Sequence, residues 1–337
     1  MKIAIVSVSA KGQKLAKNLK EMLDKDSTII RADLFYKDVK KNLKIAFYEY
    51  DAIVAVMASG ILIRSIAPFI HSKITDPAVI NIDDNGNFVI STLSGHLGGA
   101  NKLTSKIAGL IGAQAVITTS SDVNNRLGID VLASDLFLTI NDTKEILFFN
   151  KAILEGEKIT FTLNPDKNYD YLFEYLNNNT LEMDVIIQYS NAINDGEIHA
   201  SLNGHEIVLT EKNLVVGIGC KRGKECSKIL NGLEKSIEEV GVHKSRINML
   251  ASAEIKKDEK GILDLSKKLN VPVYFVEMDK LKLFESNYIQ KSEFVKSKFG
   301  IYGVCEPAAL ITAGFNSKLI YKKTSYNGVT ISIAISK

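Results

Sequence analysis

The run Ile3-Ala4-Ile5-Val6 is apolar at every position, the pattern of a strand covered on both faces in a parallel sheet. Behind it, Leu15, Ala16, Leu19 and Leu23 recur at the spacing of an amphipathic helix. The alternation then repeats. Residues 28–30 read as a short second strand, 39–47 as a helix, and 51–58 as a third strand ending at Ser59-Gly60. A short helix over 61–67 is stopped by Pro68. Strands over 79–82 and 88–90 flank the turn signal Asp83-Asp84-Asn85-Gly86-Asn87. Leu97, Leu103, Ile107, Ala108, Leu110 and Ile111 mark another helix, and 115–118 another strand. Residues 1–135 thus predict an α/β domain with ligands at the C-terminal ends of its strands.

From 136 to 210 the pattern loosens. Glycines are few, asparagines frequent, and strands are expected over 158–163, 185–188 and 206–209. This stretch predicts a small middle domain without functional residues. Residues 213–220 open a second α/β domain, followed by a helix with Ile229, Leu230, Leu233 and Ile237 at core spacing. Strands over 247–251 and 271–276, a helix over 261–269, a short helix after Gly303 and a closing edge hairpin complete it. The expected fold is α/β: two sandwich-type domains with mainly parallel sheets, joined by a small α+β domain, with boundaries 1–135, 136–210 and 211–337.

Composition narrows the partners. The 337 residues are 46% hydrophobic and 24% charged, with a net charge of +3, so no polyanion-coating surface is indicated and nucleic acid is not an expected partner. No apolar run approaches the ~18 residues of a membrane helix. Cys220, Cys226 and Cys305 lack the CxxC spacing of a zinc or redox motif and fit a reducing, cytoplasmic setting. The histidines are isolated in sequence, and no metal-ligand cluster is expected.

The densest chemistry lies in 91–101, Ser-Thr-Leu-Ser-Gly-His-Leu-Gly-Gly-Ala-Asn, between a strand and a helix. A helix start beside His96 would disfavour imidazolium and keep the ring neutral, the form a general base needs. Gly98 and Gly99 weaken a first helical turn and suggest a close approach to the backbone. The alternative is a Gly-rich turn with a capping histidine. Ser59-Gly60 and Arg64 place a Gly turn and a carboxylate clamp at a strand end, or simply a solvated arginine. Thr118-Thr119-Ser120-Ser121-Asp122 is either a capping and turn cluster or a functional one, with Asp122 the orienter of His96 or a ligand contact. Gly217-Ile218-Gly219-Cys220-Lys221-Arg222-Gly223 lacks the Walker spacing and suggests anion capture, with Cys220 structural. Lys256 and Glu259 lie in a charge run after a strand. Glu306 either caps its helix or serves as a buried acid/base.

Together these stretches resemble the CbiG family of cobalt-precorrin-5A hydrolases. The likeness rests on 57–64 with Ala67-Pro68, Lys73, 76–79, the SGHLGGAN turn at 94–101, and 116–122 with Asp130. In the second half it rests on GIGCKRG at 217–223, 256–259, 292–295, and CEPAAL at 305–310. The resemblance implies a hydrolase that opens the δ-lactone of a cobalt-bearing, ring-contracted tetrapyrrole and releases acetaldehyde, giving cobalt-precorrin-5B. Cobalt would come with the substrate, and no cofactor of the protein's own is implied. Neighbouring methyltransferases of the cobalamin pathway are the expected protein partners.

Under that reading His96 activates water, N–H groups around Gly98 and Gly99 hold the oxyanion, and Glu306 or Asp122 moves the proton of the following C–C cleavage. Substrate carboxylates are expected at Ser59, Gly60, Arg64, Ser94, Gly95, Gly98, Gly99, Asn101, Gly217, Gly219, Arg222 and Lys256. The rival readings are a non-catalytic corrinoid carrier and a nucleotide- or phosphate-binding regulator using the Gly217 turn.

Overall fold

The computed structural model describes residues 1–286 and 289–337. The chain divides into two compact units, one of Met1–Ser134, Lys144–Lys158 and Thr180–Asp184, the other of Asp135–Thr143, Ile159–Asn179 and Val185–Lys337.

The first unit is built on a six-stranded sheet. Its strands are β1 (Lys2–Ser7), β2 (Arg31–Tyr36), β3 (Ala52–Val56), β4 (Ala78–Ile82), β5 (Phe88–Leu93) and β6 (Gln114–Val116), in the order β2-β1-β3-β4-β5-β6. β2, β1, β3 and β4 run parallel; β5 turns back against β4, and β6 follows β5 in parallel. The central strands β3 and β4 are buried at every residue; β3 is an unbroken apolar run, and β4 is apolar except for Asn81. Helices α1 (Ala10–Lys25), α2 (Val39–Glu49), α3 (Ser59–Ile66) and α4 (Ala100–Ile111) are amphipathic. α1 and α4 contribute to one core with Leu19, Leu23, Leu103 and Ile107, while α2 and α3 contribute to a second with Leu43, Phe47, Leu62 and Ile66. Ser9 caps α1 by accepting the Gly12 N–H at 2.8 Å. The turn between β4 and β5 is held by Asp83, whose carboxylate accepts the N–H groups of Asn85, Asn87 and Phe88. Three shorter helices follow, α5 (Ser120–Val123), α6 (Ile129–Asp135) and α7 (Ile146–Leu154).

The second strand differs from expectation: residues 28–30 form the approach, and β2 is the next segment. At the sheet edge only Ala32 of β2 is buried, so no apolar run marks it.

The second unit carries two sheets. One joins β7 (Leu138–Ile140), β8 (Ile159–Leu163), β9 (Val185–Tyr189), β10 (Glu197–Leu202) and β11 (His205–Glu211) in the order β7-β11-β10-β8-β9, with helix α8 (Asp170–Asn178). The other contains β12 (Leu214–Cys220), β13 (Met249–Ala253), β14 (Val273–Val276), β15 (Lys318–Tyr326) and β16 (Val329–Ile335) in the order β14-β13-β12-β16-β15. β12, β13 and β14 are parallel, and the closing hairpin β15–β16 adds antiparallel strands, with β15 at the edge. Helices α9 (Cys226–Val240), α10 (Lys260–Leu269), α11 (Met278–Leu283), α12 (Glu293–Phe299) and α13 (Cys305–Ala313) complete it. Buried Arg246 donates to the carbonyls of Leu136, Phe137 and Lys212 and to Asn248 Oδ1, at 2.7–2.8 Å. Its charge is partnered by Glu211 at 3.6 Å. Among the described residues no helix is long and apolar enough to cross a membrane.

Candidate active site

The Ser94–Gly99 turn leaves β5 and precedes α4, which begins only at Ala100. Ser94 adopts the left-handed conformation (φ 56°), and its carbonyl accepts the Ala100 N–H at 3.1 Å. The Gly95 carbonyl accepts the Asn101 N–H at 3.0 Å. Gly98 folds back against the same turn: a Cβ there would lie 2.5 Å from the Ser94 Cβ and 2.8 Å from its carbonyl oxygen. The close approach expected at the glycine pair is thus made by the chain itself. Gly99, at φ 83°, is the residue before the helix.

His96 therefore does not sit in the first turn of a helix, and the expected neutral imidazole is not what the surroundings favour. Its Nδ1 lies 3.2 Å from Asp130 Oδ2, and its Nε2 lies 2.9 Å from Asp122 Oδ2. Ser121 Oγ is 3.2 Å from Nε2. Burial pushes the imidazole pKa down, but the hydrogen bonds and charges of Asp130 and Asp122 outweigh it and hold the ring above its ordinary value. Burial pushes Asp130 up, yet His96, Asn150 and the Lys73 charge hold its carboxyl below its ordinary value.

Asp122, in α5, is tied to the turn by more than His96. Asn101 Nδ2 reaches its Oδ2 at 3.1 Å, and Thr119 Oγ1 donates to the same oxygen at 2.6 Å. Asn101 also donates to Thr119 Oγ1 at 2.8 Å, and its Oδ1 accepts from Ser91 Oγ at 2.6 Å. The hydroxyl-rich run after β6 is thus a carboxylate cradle, and its carboxylate meets the ring of His96. Asp122 keeps a quarter of its side chain exposed, so the cluster opens to solvent.

From the sequence, Asp130 is named only as part of the resemblance, with no role, and Asn150 not at all. Asp130 is 3% exposed, and its Oδ1 accepts from Asn150 Nδ2 at 2.9 Å. Asn150 comes from α7, inside the stretch expected to hold no functional residue. The available signal was a lone amide in the apolar run Ile-Leu-Phe-Phe-Asn-Lys-Ala-Ile-Leu.

Ser59 and Gly60 open α3 at the end of β3. The hydroxyl of Ser59 donates to Oδ1 of Asn81, a buried amide whose Nδ2 donates to the Ala55 and Met57 carbonyls at 3.0 and 2.8 Å. Arg64 is exposed and folds over its own helix: a Cβ on Gly60 would lie 3.2 Å from Nη1.

The remaining expected residues belong to the second unit. A Cβ on Gly217 would fall 2.0 Å from the Cys305 carbonyl oxygen, so the glycine exists to let α13 pack on β12. The GIGCKRG and CEPAAL motifs thus meet through packing. A Cβ on Gly219 would crowd Thr330 Oγ1 at 2.5 Å. The basic turn is satisfied from within. Arg222 donates to Asp258 Oδ2 at 2.7 Å and to the Ile255 carbonyl at 3.0 Å. Buried Glu259 accepts the N–H groups of Gly223 and Lys224 at 2.8 and 3.2 Å and pairs with Lys256 Nζ at 2.9 Å. A carboxylate of the chain itself occupies these backbone donors, so the expected anion capture is already fulfilled internally. Cys220 is held above its ordinary pKa, chiefly by burial, which fits its structural reading. Glu306, 1% exposed, accepts the Gln290 N–H at 2.7 Å and the Lys323 N–H at 2.9 Å. Burial raises its pKa and those two donors work against the rise.

Two family models match: Cobalamin synthesis G N-terminal over residues 41–122 and Cobalamin synthesis G C-terminus over 214–334. The chain belongs to the CbiG family. Over 355 aligned positions it is 29% identical to the cobalt-precorrin-5A hydrolase of Priestia megaterium, covering 98% of this chain and 94% of that protein. A Methanocaldococcus jannaschii protein named "Probable cobalt-precorrin-5A hydrolase" is 32% identical, with 99% of each chain covered. The crystal structure of a Sulfolobus solfataricus homolog of cobalamin biosynthesis protein G matches with a TM-score of 0.62 at 26% identity, covering 100% of this chain and 97% of that one. The N-terminal CbiG match ends on Asp122. It therefore holds His96 and its Nε2 partner, while Asp130 and Asn150 lie beyond it.

Proposed function

We propose that this chain is a cobalt-precorrin-5A hydrolase of cobalamin biosynthesis. Membership of the CbiG family and near-full-length similarity to proteins named for that activity support the assignment. The observation that carries it is the 2.9 Å contact between His96 and Asp122 in a partly open cluster, an acid–base pair at a strand C-terminal end. Cobalt is part of the substrate.

The chemistry asked of the pair is modest. Water adds to the lactone carbonyl, the ring C–O bond breaks, and the freed hydroxyl loses its proton as the neighbouring C–C bond cleaves. Acetaldehyde leaves and the conjugated macrocycle takes the electron pair. Glu306 is given no step here, because both of its oxygens already hold backbone N–H groups. The Ser59–Arg64 helix start follows β3 and so lies at the opposite end of the sheet from the His96 turn, which follows the antiparallel β5; no substrate carboxylate is assigned to it here. Neighbouring methyltransferases remain the expected partners, to be sought by co-elution.

The deciding experiment is anaerobic incubation of the purified protein with cobalt-precorrin-5A, trapping acetaldehyde. Release that falls at least a hundredfold in His96→Ala supports the assignment. Release that survives the substitution keeps the function and moves the chemistry away from the turn. Binding of the macrocycle without release in the wild type replaces the hydrolase with a carrier.

A further inference from the structure

We propose that Asp130 and Asn150 are positioning residues that hold His96 doubly protonated, so that Asp122, not His96, takes the proton from the attacking water. The inference rests on the hydrolytic reading of this cluster and assigns roles within it.

Ring geometry comes first. A neutral imidazole offers one N–H and one lone pair, and would turn that lone pair toward a carboxylate. His96 faces a carboxylate oxygen at each nitrogen, Asp130 at 3.2 Å and Asp122 at 2.9 Å. Only the imidazolium donates to both. The charged groups around it are Asp122 from α5, Asp130 from α6, and Lys73, which acts on Asp130.

The Asp130 side is rigidly built. Asn150 Nδ2 donates to Asp130 Oδ1 at 2.9 Å, while Asn150 Oδ1 accepts the Ile129 N–H at 2.8 Å. Both ends of the amide are engaged, so reversing it would break both bonds. Gly128 makes room: a Cβ there would lie 2.7 Å from Asp130 Oδ1 and 3.1 Å from Asn150 Oδ1. An amide fixed in this way keeps a buried carboxylate aimed at Nδ1, as the outer partner of a catalytic histidine does.

Asp122 is arranged differently. His96, Asn101 and Thr119 all reach Oδ2, and among the described residues no hydrogen bond is made to Oδ1. With one oxygen saturated and the side chain partly exposed, Oδ1 is the oxygen offered to water. As the water oxygen bonds to the lactone carbon, its proton passes to Asp122 Oδ1. The same proton then goes to the alkoxide as the ring C–O bond breaks.

The test uses the full chain. Ring-nitrogen NMR follows the titration of His96 in wild type, Asp130→Asn and Asn150→Ala, and acetaldehyde release is measured against pH in each. His96 in the wild type should titrate above an ordinary histidine, and Asp130→Asn should lower its midpoint by about one pH unit or more. Asn150→Ala should move it the same way by less. Activity should fall on the alkaline side as His96 loses its proton, and Asp130→Asn should bring that fall to lower pH. A His96 midpoint unmoved by both substitutions overturns the proposal. So does an activity that rises with pH through the His96 midpoint, which makes the neutral ring the base. If Asp130→Asn does not fold, Asn150→Ala decides by the same two readouts. A wild type that releases no acetaldehyde, with His96 still answering to Asp130, overturns the hydrolase assignment instead.

Discussion

Asn101 and His96 meet on one oxygen: Asn101 Nδ2 at 3.1 Å and His96 Nε2 at 2.9 Å both reach Asp122 Oδ2. The start of α4 and the turn before it are thereby tied to the run after β6. Asp122→Asn keeps the volume but removes the charge and places an amide among donors. Loss of a general base costs about 10²–10⁴-fold in rate. Single-turnover acetaldehyde release should therefore fall by at least about a hundredfold. Asn101→Ala leaves the carboxylate charge but removes one of its fixing bonds, so a smaller loss is expected. Equal losses in the two variants would mean that the cluster matters only as scaffold.

The pairing of His96 with Asp130 also makes stability depend on pH. His96 has a raised folded pKa, so its contribution is complete below the ordinary histidine value and is lost as pH rises through the folded value. Asp130 has a lowered folded pKa, so its contribution is present above the ordinary aspartate value and is lost as pH falls through the folded value. The pair stabilises most between those limits. Urea unfolding of wild type and His96→Gln across pH should show the wild type losing its advantage on the alkaline side. Parallel stability curves would show that the ion pair contributes nothing to the fold.

Glu306 separates structural from chemical carboxylates. Its two oxygens accept the N–H groups of Gln290 and Lys323 and so fasten two segments to α13. Glu306→Gln turns an NH₂ toward one of those donors and leaves it unsatisfied, at a cost of about 1–3 kcal/mol. The unfolding midpoint should fall, while acetaldehyde release by the folded protein stays within about tenfold, roughly 1.4 kcal/mol. A large loss of rate at unchanged stability would restore Glu306 to the chemistry.

Apolar periodicity was a good guide wherever strands are buried on both faces. β1, β3 and β4 lie where their hydrophobic runs predict, and β12 does as well. β2 was misplaced because an edge strand with one buried residue carries no such run. At the site, the turn and the hydroxyl cluster were legible, since glycines and short polar residues after a strand are a local signal. The charge state of His96 was not. Its helix starts three residues later than the apolar stripe suggests, because Gly99 takes a positive φ that interrupts it. The carboxylates that set its charge arrive from α5 and α6, a relationship made by tertiary folding and not by spacing. Asn150 was invisible for the same reason, its partner lying twenty residues earlier in the chain.

The Gly217–Gly223 turn gives the last prediction. Its basic side chains and backbone donors look like a phosphate site in sequence, yet Glu259 fills the donors of Gly223 and Lys224 and neutralises Lys256. A phosphate would have to expel a buried carboxylate from three donors. Thermal unfolding of the wild type should therefore be unmoved by millimolar phosphate or ATP. Glu259→Ala strands two N–H groups and an ammonium, and should cost about 1–3 kcal/mol. Because the vacated donors match an anion, added phosphate should recover part of that loss in the variant alone, where binding to the folded state raises the midpoint. Stabilisation of the wild type by ATP at the same concentration would instead mean that Glu259 is displaced in solution, and would return the turn to nucleotide binding.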